Sequence, residues 1–347
     1  MSEIDVIYTH PGGRGWGQIE RLAELAATTL GGQLIQVDGS RGYTRMQTPR
    51  SLLAAPRRAA EAKACLVIAP HPAHLTSILL GRQWRRRYRK VAGWVIDSFW
   101  VDRVPRVART AGYFDQLYVT GHEDVEEWAA ASAAPVSALA WGTDALRMPF
   151  TPDDRAIDLQ RVGRQPDEWD DDETTRQASE AQGIRYAGRP PFGSDDEQSR
   201  RNADESLANA KFTLAFSNIA HTSSYTHPTR EYVTGRWLDA LSAGAIVAGI
   251  SPKTASADEL FWPGALLELP SSDLLDGLDR IRGAVRAWSP SFARQNRAQA
   301  LRRLDWRHRL AIVRDELGIQ APHLNEELTK LQDDATRLDA QTEGDLK

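Results

Sequence analysis

Along the first part of the chain, short runs of β-branched, aromatic and aliphatic residues alternate with longer stretches whose apolar positions recur every three or four residues. IDVIYTH (4–10) is such a run; it is bounded by PGGRGWG, and QIERLAELAATTL follows with helical spacing, which predicts a strand, a glycine loop and a helix. QLIQVD (33–38), CLVIAP (65–70), VAGWVID (91–97) and QLYVT (116–120) predict four more strands with helical or loop material between them. Strands alternating with helices imply a parallel sheet, and the unbroken apolar character of several runs implies helices on both of its faces. Residues 1–150 therefore read as one doubly wound, Rossmann-like domain.

The segment MPFTPDDRAID interrupts this rhythm with Pro149, Pro152 and an acidic pair, a composition suited to a linker. A second series starts near Ile157. DLQRVGRQP predicts a strand and loop, TTRQASEAQ a helix, IRYAGRPPF a strand, RRNADESLANA a helix, FTLAFSN a strand, RWLDALSAG a helix closed by Gly244, and AIVAGI (245–250) a further strand. Residues 151–321 thus read as a second α/β domain. Residues 322–347 read as a helix that frays where its sequence turns polar. Such domains place ligand crevices at the carboxyl ends of their parallel strands, so the reading is two tandem Rossmann-like domains facing a central cleft that holds the active site.

Composition narrows the classes. The 347 residues, 41% apolar and 26% charged, suit two folded domains rather than a disordered or fibrous chain. The single cysteine, Cys65, excludes a disulfide framework or a thiolate metal cluster within one chain. No run approaches eighteen consecutive apolar residues, and the first twenty residues lack the regions of a signal peptide, which predicts a cytoplasmic protein. The net charge of −4 is unevenly spread. Residues 1–150 carry 18 Lys and Arg against 14 Asp and Glu, and residues 151–347 carry 25 against 33. Much of the first excess lies in WRRRYRK, where Arg85, Arg86, Arg87, Arg89 and Lys90 with interleaved aromatics suit an anionic acceptor, a nucleic acid or a membrane surface, or else form a solvated helix face.

Two segments carry candidate chemistry. The loop Gly12-Gly13-Arg14-Gly15-Trp16-Gly17 lies between the first strand and a helix, where small residues let an anionic group approach the helix N-terminus. Asp38 ends the next strand about twenty residues on, which keeps an NAD-dependent oxidoreductase open, although the spacing is GxGxG and not GxGxxG; a plain structural turn is the other reading. In the second half, Val162-Gly163-Arg164 follows a strand, where Arg164 can neutralise a diphosphate. Thr229 to Asp239 then sets Glu231 and Asp239 eight residues apart around Gly235. With Glu231 before a helix and Asp239 on its second turn, the two suit a sugar and a ribose while the helix N-terminus faces phosphate.

EYVTGRWLDALSAGAIVAG resembles the Glu-x7-Glu segment of the GT-B glycosyltransferases, of the retaining, group 1 type, with Asp239 in place of the second Glu. VGRQP is similar to the opening of that family's C-terminal domain, and AIVAG with ASADELFWPGALLEL resembles its closing strand and acidic loop. In the first half, VIDSFWVD, FDQLYVTGHEDVEEWA and Trp141-Gly142-Thr143-Asp144 resemble the end of its acceptor domain. The resemblance implies transfer of a sugar, a hexose, from a nucleoside-diphosphate sugar bound by the second domain to an acceptor bound by the first. It assigns donor phosphate to Arg164, donor sugar to Glu231 and ribose to Asp239, with Gly163, Arg189, Arg230 and Arg236 as further donor contacts and Gly13, Arg14 and Gly15 as the acceptor loop. It implies no permanently bound cofactor.

Two features depart from that pattern: the shortened Asp239, and Gln165-Pro166-Asp167-Glu168 where a lysine is common. They keep open a degenerate module that binds without turnover. For a proton acceptor, His10 and Asp97 stand at strand ends, His10 having loop capping as its alternative. Asp170-Asp171-Asp172-Glu173 reads as helix capping, and His71 with His74 lacks a third ligand, so no essential metal is expected. The acceptor stays open among polysaccharide, lipid-linked sugar, protein, natural product and modified nucleic-acid base.

Overall fold

A computed structural model describes residues 3–12, 15–39, 63–79, 87–220 and 226–345. The chain forms two compact units: unit 1 is Met1–Trp141 with Arg307–Leu328, and unit 2 is Gly142–Trp306 with Thr329–Lys347. The segment MPFTPDDRAID lies inside unit 2. There Gly142 and its neighbours are drawn in because Thr143 N–H donates to the Leu304 carbonyl at 2.9 Å and Trp306 N–H to the Thr143 carbonyl at 2.9 Å.

Unit 1 runs β1 (Ile4–His10), α1 (Gly17–Thr29), β2 (Gln33–Asp38), β3 (Lys63–Ala69), β4 (Tyr88–Val95), α2 (Arg106–Arg109), β5 (Gln116–Val119), α3 (Val125–Ala131) and β6 (Val136–Ala138). Its six strands pair in parallel in the order β2-β1-β3-β4-β5-β6. The central strands β3, β4 and β5 bury nearly every residue, as their continuous apolar runs require, while the edge strand β2 alternates in exposure. Three-residue β6 carries no pattern of its own and takes its register from β5.

β4 begins at Tyr88, so the basic run is strand from that residue on. Asp5, with a fully buried side chain on β1, draws the cations in: Lys63 at 3.0 Å, Arg87 at 3.3 Å and the Tyr88 hydroxyl at 2.9 Å. Arg89 donates to the Gly318 carbonyl at 3.1 Å, and Lys90 pairs with Glu316 at 3.3 Å. Arg87, Arg89 and Lys90 thus have partners within unit 1, while the Arg87 and Lys90 side chains stay exposed to solvent. Arg85 and Arg86 lie outside the described residues.

Unit 2 runs β7 (Ile157–Arg161), α4 (Asp167–Asp170), α5 (Asp172–Ala181), β8 (Tyr186–Ala187), α6 (Asp196–Ala208), β9 (Ala210–Leu214), α7 (Gly235–Ser242), β10 (Ile246–Gly249), α8 (Ala255–Leu260), β11 (Leu266–Glu268), α9 (Leu274–Ala287) and α10 (Pro290–Arg303). Helices α11 (Trp306–Leu317) and α12 (Pro322–Asp345) complete the chain. The five strands of unit 2 are parallel, in the order β11-β10-β9-β7-β8. Of the IRYAGRPPF segment only Tyr186 and Ala187 are strand, because β8 is an edge strand paired with β7 alone. α12 stays helical to Asp345; Leu331, Ala335 and Leu338 recur on a buried stripe that fastens the tail, so the fraying read from its polarity does not occur.

Both sheets share one winding. The chain steps outward from the first strand to the second, then returns to the other side of the first, which puts the topological switch points between β1 and β3 and between β7 and β9. Around α7 the packing is tight. Gly244 adopts φ +84° directly after the helix, and a Cβ there would stand 2.7 Å from Arg155 Nη2. Buried Arg155 and Arg297 donate to the carbonyls of Ala243 and Ser242 at the helix end, replacing the missing next turn. At Gly249 a Cβ would come 1.6 Å from the Ala215 carbonyl oxygen, so only glycine lets β10 leave beside β9.

Candidate functional site

In unit 2 the switch point gathers the residues with ligand chemistry. β7 ends in Arg161 and leads into Val162-Gly163-Arg164, where Gly163 adopts φ +73°. The Arg161 side chain is 2% exposed and turns back under this loop. It donates to Gly163 O at 3.3 Å, to Asp172 Oδ1 at 2.9 Å, and to both the carboxylate and carbonyl of Asp170. This gives the acidic run its role: Asp170 and Asp172 neutralise Arg161, and Asp171 caps α5 by accepting from Thr174 N–H at 2.6 Å. Asp172 also accepts from Tyr186 and from Arg189 N–H, at 2.8 and 3.1 Å, so Arg189 is placed by its backbone at the end of β8. Among the described residues no group of three or more His, Cys, Asp and Glu side chains can hold a metal ion.

Arg236, in the first turn of α7, spans the switch point itself. Its Nη1 donates to the Arg164 carbonyl at 2.9 Å and its Nη2 to the Phe216 carbonyl at 2.6 Å, tying the exit of β7 to the exit of β9. Its guanidinium is therefore in large part a structural staple.

Glu231 lies in the loop before α7, and both of its oxygens are held. Ser217, just past β9, donates its hydroxyl to Oε1, and Lys253, just past β10, donates its backbone N–H to Oε2 at 3.0 Å. Asn218 closes the base of the loop by donating to the carbonyls of His227 and Arg230 at 3.1 and 2.8 Å. His227 Nδ1 accepts from Arg230 N–H at 3.0 Å. A carboxylate fixed this way keeps further lone pairs for hydroxyl donors. The next helix, α7, starts after Thr234, which makes no side-chain cap, whereas α5, α6, α8 and α9 are capped by Asp171, Asp195, Thr254 and Asp273. Helices α1, α3, α4 and α10 likewise start without a side-chain cap. Asp239, on the second turn of α7, accepts the Thr143 hydroxyl at 2.6 Å through Oδ1.

In unit 1 the strand ends carry His10, His71, His74 and Asp97. Each histidine accepts a backbone N–H at Nδ1: His10 from Gly12 at 3.0 Å, His71 from Ala73 at 3.3 Å and His74 from His71 at 3.3 Å. A neutral ring that accepts at Nδ1 carries its proton on Nε2 and is a donor there, which makes His10 a loop cap before it is a base. Burial lowers His71 and His74 to about 4 each, with the His74 and Arg103 charges adding to the effect on His71. Asp97 follows β4, and burial pushes its carboxyl up to about 7. Beside it, Ser98 donates to Asp124 at 2.6 Å and Trp128 Nε1 donates to the Ser98 carbonyl at 2.7 Å, which fixes this turn. Gly15 adopts φ +102° before α1; Gly13 and Arg14 lie outside the described residues.

No model of a protein family matches the sequence, and no curated protein matches it. Solved structures do match the fold. HepE of Anabaena, crystallised with UDP-glucose, aligns with a TM-score of 0.52 at 11% identity over 90% of this chain and 98% of that one. A glycosyltransferase from Rickettsia africae aligns with a TM-score of 0.53 at 7% identity over 91% and 98%. The chain has the GT-B glycosyltransferase fold. Within the GT-B fold of this chain, Glu231, Gly163, Arg164, Arg230 and Arg236 come together around α7, and His10 and Asp97 stand at strand ends of the other unit. Ser217, Asn218, Lys253 and Glu268, which the motif reading did not single out, complete the surroundings of Glu231. The one local signal for them was polar residues directly after apolar strands. No helix among the described residues is long and apolar enough to cross a membrane.

Proposed function

We propose that the protein is a nucleotide-sugar-dependent glycosyltransferase, in which unit 2 takes a nucleoside-diphosphate hexose and unit 1 takes a hydroxyl-bearing acceptor. The observation that carries this reading is Glu231, held at both oxygens by Ser217 and Lys253 directly ahead of the uncapped N-terminus of α7. That arrangement sets a hydroxyl-accepting carboxylate next to an anion-accepting helix end, which matches the two halves of a sugar diphosphate. The complex of HepE with UDP-glucose supports the donor class.

In the reaction the bond between the sugar C1 and the diphosphate oxygen breaks and a bond from C1 to the acceptor oxygen forms. Arg164 and the N–H groups of α7 stabilise the charge that gathers on the departing diphosphate, with Arg230 and Arg189 as further cations. Arg236 holds Arg164 and Phe216 in place for that task. Glu231 orients the sugar through its hydroxyls, and Asp239, held by Thr143 on the second turn of α7, takes the ribose. Asp97 takes the acceptor proton: its raised pKa suits proton transfer near neutrality, and the Nδ1 of His10 is already engaged. An anionic acceptor is met by the basic run of Arg85, Arg86, Arg87, Arg89 and Lys90, of which the last three also have partners within unit 1.

Thermal-shift titration with UDP, GDP, ADP, dTDP, CMP and NAD tests the reading, because a ligand that binds the folded state raises its apparent stability. Stabilisation by one nucleoside diphosphate, lost in Glu231→Ala or Arg164→Ala for the matching nucleotide sugar, supports it. Stabilisation by NAD alone overturns it in favour of an oxidoreductase, and binding of a nucleotide sugar with neither transfer nor hydrolysis identifies a degenerate module.

A further inference from the structure

We infer that the sugar end of the unit 2 site selects an uncharged, hydroxyl-bearing sugar and rejects one carrying a carboxylate, and that Lys253 and Glu268 set this selection. The inference rests on the donor assignment proposed above.

Lys253 touches Glu231 through its backbone, at 3.0 Å, so its Cα lies beside the carboxylate assigned to the sugar. Its ammonium is turned to Glu268 Oε1 at 2.6 Å and Ser251 Oγ at 2.9 Å. Glu268, the last residue of β11, also receives the Ser251 N–H at 3.2 Å. The loop from Ser251 to Lys253 is thus pinned between two carboxylates, Glu268 on one side and Glu231 on the other. The Lys253 ammonium is paired with Glu268 in a solvent-exposed ion pair, and Glu231 is the carboxylate on the sugar side of the loop. Arg280 of α9 donates to the Glu268 backbone carbonyl at 2.8 Å and Arg236 to the carbonyls of Arg164 and Phe216, while Arg164 and Arg230 are the cations assigned above to the diphosphate.

Sugar hydroxyls suit such a surface, since they donate to Glu231 and accept from the ammonium. A uronate carboxylate brought to the same place faces a like charge and a lysine already paired, and the discrimination comes from that repulsion. Recognition of a sugar acid needs an arginine or lysine whose charge is not already matched.

The test compares the dissociation constants of UDP-glucose and UDP-glucuronic acid, which share nucleotide and ring and differ at C6. If the thermal-shift titration selects guanine, GDP-mannose and GDP-mannuronic acid replace them. The neutral donor is expected to bind at least tenfold more tightly. Glu268→Gln keeps an acceptor for Ser251 but leaves Lys253 unbalanced, and narrows the ratio at least threefold; Lys253→Met leaves two carboxylates and widens it. Melting temperatures of both variants confirm that they are folded, and should either fail to fold, the ratio in the unaltered protein and in the other variant decides. Equal affinity for the two sugars, or a ratio unmoved by the variants, overturns the selection and leaves the donor assignment standing. Binding of no nucleotide sugar and no nucleoside diphosphate overturns both.

Discussion

The Thr143 hydroxyl donates to Asp239 Oδ1 at 2.6 Å, joining the first residues of unit 2 to the second turn of α7. A partly buried hydrogen bond to a carboxylate contributes on the order of 1.5–3 kcal/mol. Thr143→Val is expected to lower the stability of unit 2 by about that amount in denaturant unfolding. It also removes a contact that orients Asp239, so affinity for the stabilising nucleoside diphosphate should fall several-fold. Unchanged nucleotide affinity in a destabilised variant would limit Asp239 to a structural role.

Ser217 positions Glu231 and, in the proposed mechanism, touches no reacting atom. Ser217→Ala should therefore reduce kcat roughly tenfold with a smaller change in nucleotide affinity, while Glu231→Ala should cost on the order of a hundredfold or more. Ser217→Thr keeps the hydroxyl and should recover most of the loss. Equal kinetics for the Ala and Thr variants would remove Ser217 from the account.

Asp97 ties activity and stability to pH. Burial raises its carboxyl to about 7 in the folded protein, against about 3.9 in an unfolded chain. The folded state holds this proton more tightly, so its contribution to stability is fully present below about pH 4 and is lost as pH rises through about 7. Asp97→Asn should accordingly gain roughly 1 to 4 kcal/mol relative to the unaltered protein at pH 8. Transfer needs the ionised carboxylate, so kcat/KM should climb with pH up to about 7 and level off, and the Asn variant should lose about a hundredfold or more. A flat pH profile would exclude Asp97 as the proton acceptor.

The histidine pair acts in the opposite sense. Burial holds His71 and His74 at about 4 when folded, below their ordinary value near 6.5, so the stability they lend is full above 6.5 and lost as pH falls through about 4. His74→Gln should make the acid limb of the unfolding curve shallower, by roughly 1 to 2 kcal/mol between pH 6.5 and 4. A variant with the full acid dependence would place the titrating groups elsewhere.

Arg161 is buried against two carboxylates and two carbonyls beneath the Gly163 loop. Arg161→Met should destabilise unit 2 by ~3 kcal/mol, since it strands those acceptors, and weaken nucleotide binding through the loop above. Calorimetry together with nucleotide titration of the variant measures both effects, and wild-type stability would refute the assignment.

Local pattern alone carried the alternation of strands and helices and the two Rossmann-like domains; the GT-B fold was legible only through the resemblance of segments such as EYVTGRWLDALSAG to that family. The apolar runs of β3 and β5, the helical spacing of α1 and the Gly244 stop behind α7 are signals between near neighbours in sequence, so backbone preference and side-chain period determine them before any packing. The places of Glu231 and Arg164, before a helix start and at a strand exit, were legible from their motifs. The partners that give those residues meaning were not. Lys253 and Glu268 meet across 15 residues, Arg236 and the Arg164 carbonyl across 72, and Thr143 and Asp239 across 96. Such contacts arise only when parallel strands deliver their carboxyl ends to one edge, and no window of the sequence contains both partners. The same holds for β4: the charges at its start imitate a solvated face, and the pairing of Tyr88 with Lys63 and of its hydroxyl with buried Asp5 on β1 comes from distant parts of the chain. For His10 the chain determined the place, and only the loop geometry set the Gly12 N–H against its Nδ1.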